Sequence, residues 1–183
     1  SNCVRRLIIQ MRDINVRYFK KLYVDTSDIS GQGLFAGEKI AKGEIILSFG
    51  GTLALQADRY SGKYKSSTFV GISETVMLCE TSDAEKDFSD YINHSCNPNA
   101  GMLDCLSVMA VRDINEHEEI VCDYAFWEAD EEWVLKKTCN CGSSNCRRSI
   151  SGKDWKKIKP EDDNFEFFSP YIKRRIIKNA ERS

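Results

Sequence analysis

The sequence predicts a mainly β fold with short helices at its two ends. Two observations carry this. Between Leu22 and Ile120 short apolar runs alternate with glycine-bearing turns, and the only three-and-four apolar spacings lie near the termini. At 183 residues and 20.9 kDa the chain suits one domain with short appendages. Apolar residues make up 42% and charged residues 30%, enough to bury a core and too much for wholesale disorder.

The elements follow in order. Val4, Leu7, Ile8, Met11 and Ile14 share one face of an expected N-terminal helix. The expected strands are Leu22–Val24, Ile45–Leu47, Thr68–Val70, Val76–Leu78, Leu106–Val111 and Ile120–Cys122. Gly31-Gln32-Gly33, Lys42-Gly43 and Gly50-Gly51 punctuate them. Residues 128–137 read as a short helix. Ser169-Pro170 reads as the start of another, with Ser as cap and Pro at the first position. In that last helix Ile172, Ile176 and Ala180 share a face, while Lys173, Arg174, Arg175, Lys178 and Arg182 make the rest basic.

Several function classes fall away on composition. The net charge of −2 and a pI near 5.8 disfavour a globally basic nucleic-acid binder. A local basic surface on the C-terminal helix remains, suited to weak contact with nucleic acid or a nucleosome. No apolar run approaches the roughly 18 residues of a membrane span. Ser1-Asn2-Cys3 leads into mixed charge rather than the apolar stretch of a signal peptide. An intracellular, reducing compartment is therefore expected.

Eight cysteines are spread unevenly. Cys3, Cys79, Cys96, Cys105 and Cys122 stand alone, whereas Cys139, Cys141 and Cys146 form a C-x-C-x4-C cluster. Such spacing in a reducing compartment points to a structural zinc site rather than disulfides. A closed zinc site needs a fourth ligand, and Cys96, in Asn93-His94-Ser95-Cys96-Asn97-Pro98-Asn99, is the natural candidate. The same segment admits a competing reading, a thiol hydrolase built on Cys96 and His94.

Four motifs now stand in a fixed order: Gly31-Gln-Gly33-Leu-Phe-Ala36, Asn93-His-Ser-Cys-Asn-Pro-Asn99, Glu118-Glu-Ile-Val-Cys-Asp-Tyr124, and the cysteine cluster followed by Arg147. Together they resemble the SET-domain protein-lysine methyltransferases with a post-SET zinc motif, over about Leu22 to Ile150. The resemblance implies a fold of small β-sheets with knot-like threading. It implies an SET domain at 21–128, a post-SET zinc segment at 129–152, an N-terminal helical flank at 1–20 and a C-terminal helical tail at 153–183.

It further implies S-adenosylmethionine as cofactor, one structural zinc, and a protein lysine as substrate, on a histone tail or a non-histone protein. Tyr124 looks like the catalytic tyrosine. Gly31, Gln32, Gly33, Tyr64, Tyr91, Asn93, His94, Tyr124 and Ile150 fall where the cofactor is held. Cys96, Cys139, Cys141 and Cys146 look like the zinc tetrad. Phe49, Cys122 and Phe126 are the expected substrate-lysine channel, with Trp127 a further wall candidate. The chain departs from the family pattern at Phe49, Asp90, Tyr91 and His117. Cys122 stands where the family carries Phe or Tyr, which leads us to expect a roomier channel that allows di- or trimethylation. These departures also keep open a second reading, a zinc-bearing SET-like binding module that has lost catalysis.

Overall fold

The computed structural model describes residues 14–65 and 69–182. The expected N-terminal helix, Ile14 apart, lies outside the described residues, as does Thr68. Eleven strands are present among those described: β1 (Arg17–Tyr18), β2 (Leu22–Thr26), β3 (Gln32–Ala36), β4 (Ile45–Ser48), β5 (Thr52–Leu55), β6 (Val70–Gly71), β7 (Val76–Cys79), β8 (Asn93–His94), β9 (Ala100–Met102), β10 (Ser107–Ala110) and β11 (Glu119–Cys122). Short 3-10 turns connect several of them, and one α-helix, α1, spans Pro170–Ala180.

The strands form one larger and one smaller sheet. The larger runs β1-β4-β10-β9-β11-β3-β2, with β8 pairing to β11 off that path; the smaller runs β5-β7-β6. Most pairings are antiparallel. β11 is the exception, because it lies parallel to both β8 and β9 (Val121 opposite Asn93, Cys122 opposite His94 and Ala100). Parallel neighbours need a crossover rather than a hairpin. That crossover sets the Asn93–Asn99 segment beside Asp123 and Tyr124.

Every expected strand with described residues is formed. Each is short because apolar length runs out after three to five residues and a turn residue follows. The expected helix at 128–137 does not form. The segment runs extended as a strap instead: Val134 bridges to Ser151, the Leu135 amide donates to the Ile150 carbonyl at 2.9 Å, and the Gly152 amide donates to the Trp133 carbonyl at 3.0 Å. Its acidic residues find partners outside the segment, Glu128 with Arg59 and Glu131 with Lys156, and this outweighs a modest helix propensity.

The C-terminal tail is part of the main core. Phe167, Phe168, Tyr171, Ile172 and Ile176 are all buried there among strand residues. Helix α1 starts at Pro170 as expected, with Ser169 in the cap position but without a side-chain cap hydrogen bond; Ala180 is exposed as the helix runs off the core. The Ser169 amide donates to the Phe126 carbonyl at 2.7 Å. Arg175 forks onto Glu74 and reaches the Ala129 carbonyl at 3.1 Å. Burial of five large apolar side chains, at about 1.5–3 kcal/mol each, rivals the whole stability of a typical domain. Truncation after Asp163 is therefore expected to abolish cooperative unfolding near room temperature, read by circular dichroism on heating.

Candidate functional site

The site begins with Asn93 and the glycine loop. Gly31 has a φ of +57°, in the left-handed region that glycine tolerates best. Gly33 packs so closely on Glu119 that a Cβ there would overlap the carboxylate. The Glu119 carboxylate accepts from the Ser27 hydroxyl (2.8 and 2.9 Å) and from the Asn93 amide (2.7 Å). Asn93 Nδ2 also faces the carbonyls of Ser30 (3.3 Å) and Gln32 (3.1 Å). The side chain of Asn93 thus ties the loop to β11.

His94 performs a second tie. It is buried, and burial pushes its pKa down to about 4, so the ring is neutral. Nδ1 accepts the Tyr124 amide at 3.2 Å, which leaves the proton on Nε2 facing Cys96 Sγ at 3.4 Å. The imidazole therefore joins the cysteine group to the backbone of Tyr124.

Cys96, Cys139, Cys141 and Cys146 have sulfurs all within 4.8 Å of one another. Four thiolates around zinc, at about 2.3 Å each, lie roughly 3.8 Å apart, so this group could hold one ion with small adjustment. Donors already surround the sulfurs: the Arg147 amide faces Cys96 at 3.4 Å and the Cys96 amide faces Cys141 at 3.5 Å. Such donors favour thiolate. Arg147 itself forks onto Asp123 at 2.6 and 2.7 Å. Removing the guanidinium leaves Asp123, 8% exposed in its side chain, uncompensated. Arg147→Met is expected to lower stability by about 3 kcal/mol in urea unfolding.

Tyr124 opens a 3-10 turn after β11, capped by the Asp123 carboxylate on the Ala125 amide. Its hydroxyl donates to the Ile92 carbonyl at 2.9 Å. Burial, with Cys122 close by, pushes the phenol well above its usual range, so it stays protonated at any physiological pH. The ring meets His94 edge-on at 5.2 Å and lies 5.6 Å from Trp127 and 6.1 Å from Trp133.

These residues border a cavity of about 680 Å³, within the usual range for small-molecule sites. Ser30, Phe49, Ile92, Asn93, His94 and Tyr124 line it. The rest of the expected site distributes less evenly. Gly31, Gln32 and Gly33 shape the loop behind Ser30 without themselves lining the cavity. Ile150 is buried beneath the strap at 1% exposure. Tyr91 lies half-buried under the Lys86 ammonium at 5.1 Å. Tyr64 bridges to Thr81 and packs in a small separate core with Ala54, Phe69, Met77 and Cys79.

Of the three expected channel residues, Phe49 lines the cavity. Cys122 is fully buried within β11, and Phe126 packs at 4.9 Å on Phe168. Asp90, one of the departures, also lines the cavity while receiving the Asp87 amide. His117 takes a φ of +69° and contacts Tyr23 away from the site.

Sequence reasoning missed several wall residues, among them Arg59, Glu128 and Trp133. Arg59 is buried against the Phe69 ring at 4.5 Å and paired with Glu128, and Trp133 reaches Tyr124 from the strap. Nothing in the sequence marked them, because lone charges and aromatics in turn-rich segments ordinarily sit in solvent or loops.

Comparison with known proteins decides the family. The profile described as SET domain matches residues 31–125. The chain belongs to the SET-domain family. Human SETD1B, a histone-lysine N-methyltransferase, is 35% identical over 72% of this chain. Arabidopsis thaliana ASHH3, also a histone-lysine N-methyltransferase, is 27% identical over 88%. The chain spans 7% of the first and 47% of the second. In three dimensions it resembles KRYPTONITE, crystallised with mCHG DNA and SAH, at a TM-score of 0.56 and 23% identity, covering 73% of this chain and 29% of that one. That likeness speaks for the fold.

Proposed function

We propose that this chain transfers a methyl group from S-adenosylmethionine to the ε-amine of a protein lysine, on a histone or another nuclear protein. The observation that carries the reading is Tyr124 on the wall of the cavity, its hydroxyl fixed by the Ile92 carbonyl and its backbone amide tied through His94 to the four-cysteine group. Ser30, Asn93 and the backbone of His94 would hold the cofactor, with the Gly31–Gly33 loop set by Asn93. S-adenosylmethionine supplies a methyl group on a positively charged sulfur.

The chain's task is to present a neutral amine in line with that methyl. A lysine of pKa 10.4 is neutral in about one molecule in 2,500 at pH 7, a deficit of about 4.6 kcal/mol. A dry aromatic passage lowers that pKa by refusing to solvate the ammonium. Tyr124 cannot remove the proton as phenolate, because its own pKa is raised. Its oxygen, having given its hydrogen to Ile92, accepts from the amine and orients it. A zinc with four thiolates has no open position for water, so its part is structural. It would pin the strap and Ile150 beside the cavity.

The test is transfer of labelled methyl from S-adenosylmethionine to core histones and to a nuclear lysate, followed by mass spectrometry. Methyl-lysine formed by wild type is the expected result. Binding of the cofactor without transfer to any lysine would favour the binding-module reading. Nucleic-acid contact through Arg174 and Lys178 on the exposed side of α1, with Arg182 just beyond its end, would appear as salt-dependent DNA affinity.

A further inference from the structure

Four acidic side chains line the cavity: Glu80, Asp90, Glu128 and Glu132. Glu80 is paired with Lys65 at 3.1 Å and Glu128 with Arg59. Glu132 is exposed, where water serves it. Asp90 differs from all three. It is half-buried and makes no ion pair among the described residues. Its Oδ2 accepts the Asp87 amide at 3.1 Å, in a reciprocal cap whose other half is the Asp87 carboxylate accepting the Ser89 amide. The cap anchors the Asp90 carboxylate by one oxygen. Burial raises its pKa, and neither the Asp87 amide nor the Lys65 and Lys86 charges farther off make up for the lost water.

Asp90 also stands close to the reacting centre. It lies two residues before Ile92, whose carbonyl takes the Tyr124 hydroxyl, and three before Asn93, which ties down the glycine loop. Two residues span at most about 7 Å. An anchored, half-buried carboxylate repels another carboxylate and draws a cation. S-adenosylmethionine brings two cations, the sulfonium and the α-ammonium. The sulfonium belongs beside Tyr124, where the methyl leaves, and it has no hydrogen to donate. The α-ammonium donates up to three N–H groups and keeps its charge before and after transfer, which suits an anchored carboxylate.

We propose that Asp90 binds the α-ammonium of the cofactor. The amino-acid end is thereby turned so that its amine, and not its carboxylate, faces the segment Phe88–Tyr91. Position 90 is one of those at which the chain departs from the pattern of its family, so this contact is particular to the residue found here. The proposal rests on the methyltransferase reading above and adds a contact to the cofactor that it uses.

The test is calorimetric titration of the full chain, prepared with zinc, with four ligands: S-adenosylmethionine, S-adenosylhomocysteine, and two analogues of the latter, one lacking the amine and one lacking the carboxylate. Asp90→Asn keeps an acceptor for the Asp87 amide and removes the charge. It is expected to weaken the three amine-bearing ligands by about tenfold or more and the amine-free analogue by less than about twofold. Asp90→Arg should weaken the carboxylate-free analogue further and tighten the amine-free one. A loss shared equally by all four ligands means that Asp90 only shapes the wall; no loss in any means that it serves the peptide or the solvent. Either result overturns the proposal. A loss confined to S-adenosylmethionine places the carboxylate at the sulfur and overturns it as well. Should the expected pattern appear while no lysine is methylated, the Asp90 contact stands and the methyltransferase reading falls. Should methylation proceed with the pattern absent, the Asp90 contact alone falls. Wild type that binds none of the four ligands ends both.

Discussion

Tyr124→Phe is expected to lower kcat at least 100-fold while shifting the melting temperature by only about 2–4 °C. The two magnitudes have different origins. The hydroxyl makes one hydrogen bond within the fold, to Ile92, and such a bond contributes about 1 kcal/mol net. In a chain of this length that corresponds to a few degrees. A preorganised group aimed at the reacting atoms of a dry site is worth about 100- to 1,000-fold in rate. The pH profile supplies a second readout. Burial holds the phenol protonated well above its normal range, so Tyr124 keeps the same form between pH 7 and 10. The ratio of wild-type to variant kcat should therefore stay constant across that interval, while both rise with pH as the acceptor amine loses its proton. A ratio that collapses as pH rises would mean that phenolate formation contributes, against the role assigned here.

Cys96→Ser is expected to remove the metal and loosen residues 138–150 together. Wild type should carry about one zinc per chain by atomic absorption and the variant close to none. The loss is large because the four sulfurs come from two distant parts of the chain and lie within 4.8 Å of one another, so one ion would cross-link both parts. Zinc–thiolate sites contribute about 10–16 kcal/mol in small zinc-dependent peptides. Residues 14–128 hold much of the main core and should survive as a folded body. Limited proteolysis should therefore cut first within 137–148 in the variant, and wild type treated with a chelator should show the same cut. Loss of metal also frees His94 from Cys96 and so reaches the Tyr124 backbone. Cofactor affinity should fall in parallel. Unchanged metal content in Cys96→Ser would return Cys96 to the pool of free thiols and revive the hydrolase reading.

Chemistry that must be written in residue types was legible before any coordinates. Three cysteines at C-x-C-x4-C spacing and a fourth at 96 named a metal group, since thiolate ligands have few substitutes. Tyr124 could be singled out because its motif stands in order with three others. The short strands were legible because period-two patterning and turn residues act locally. The strap shows where local reading fails: residues 128–137 have acceptable helix propensity, yet pairing with 150–152 and ion pairs to Arg59 and Lys156 decide their conformation.

The sequence by itself pointed to the family, to six of the eleven described strands, and to the candidate metal ligands and tyrosine. Tertiary structure alone decided that the tail belongs to the core, that Cys122 and Phe126 lie away from the cavity surface, and that Arg59, Glu128 and Trp133 stand on it. The reason is physical. Ligand chemistry and turn chemistry are properties of neighbouring residues, whereas which side of a wall a side chain faces depends on packing between segments distant along the chain, and a sequence pattern carries no term for that.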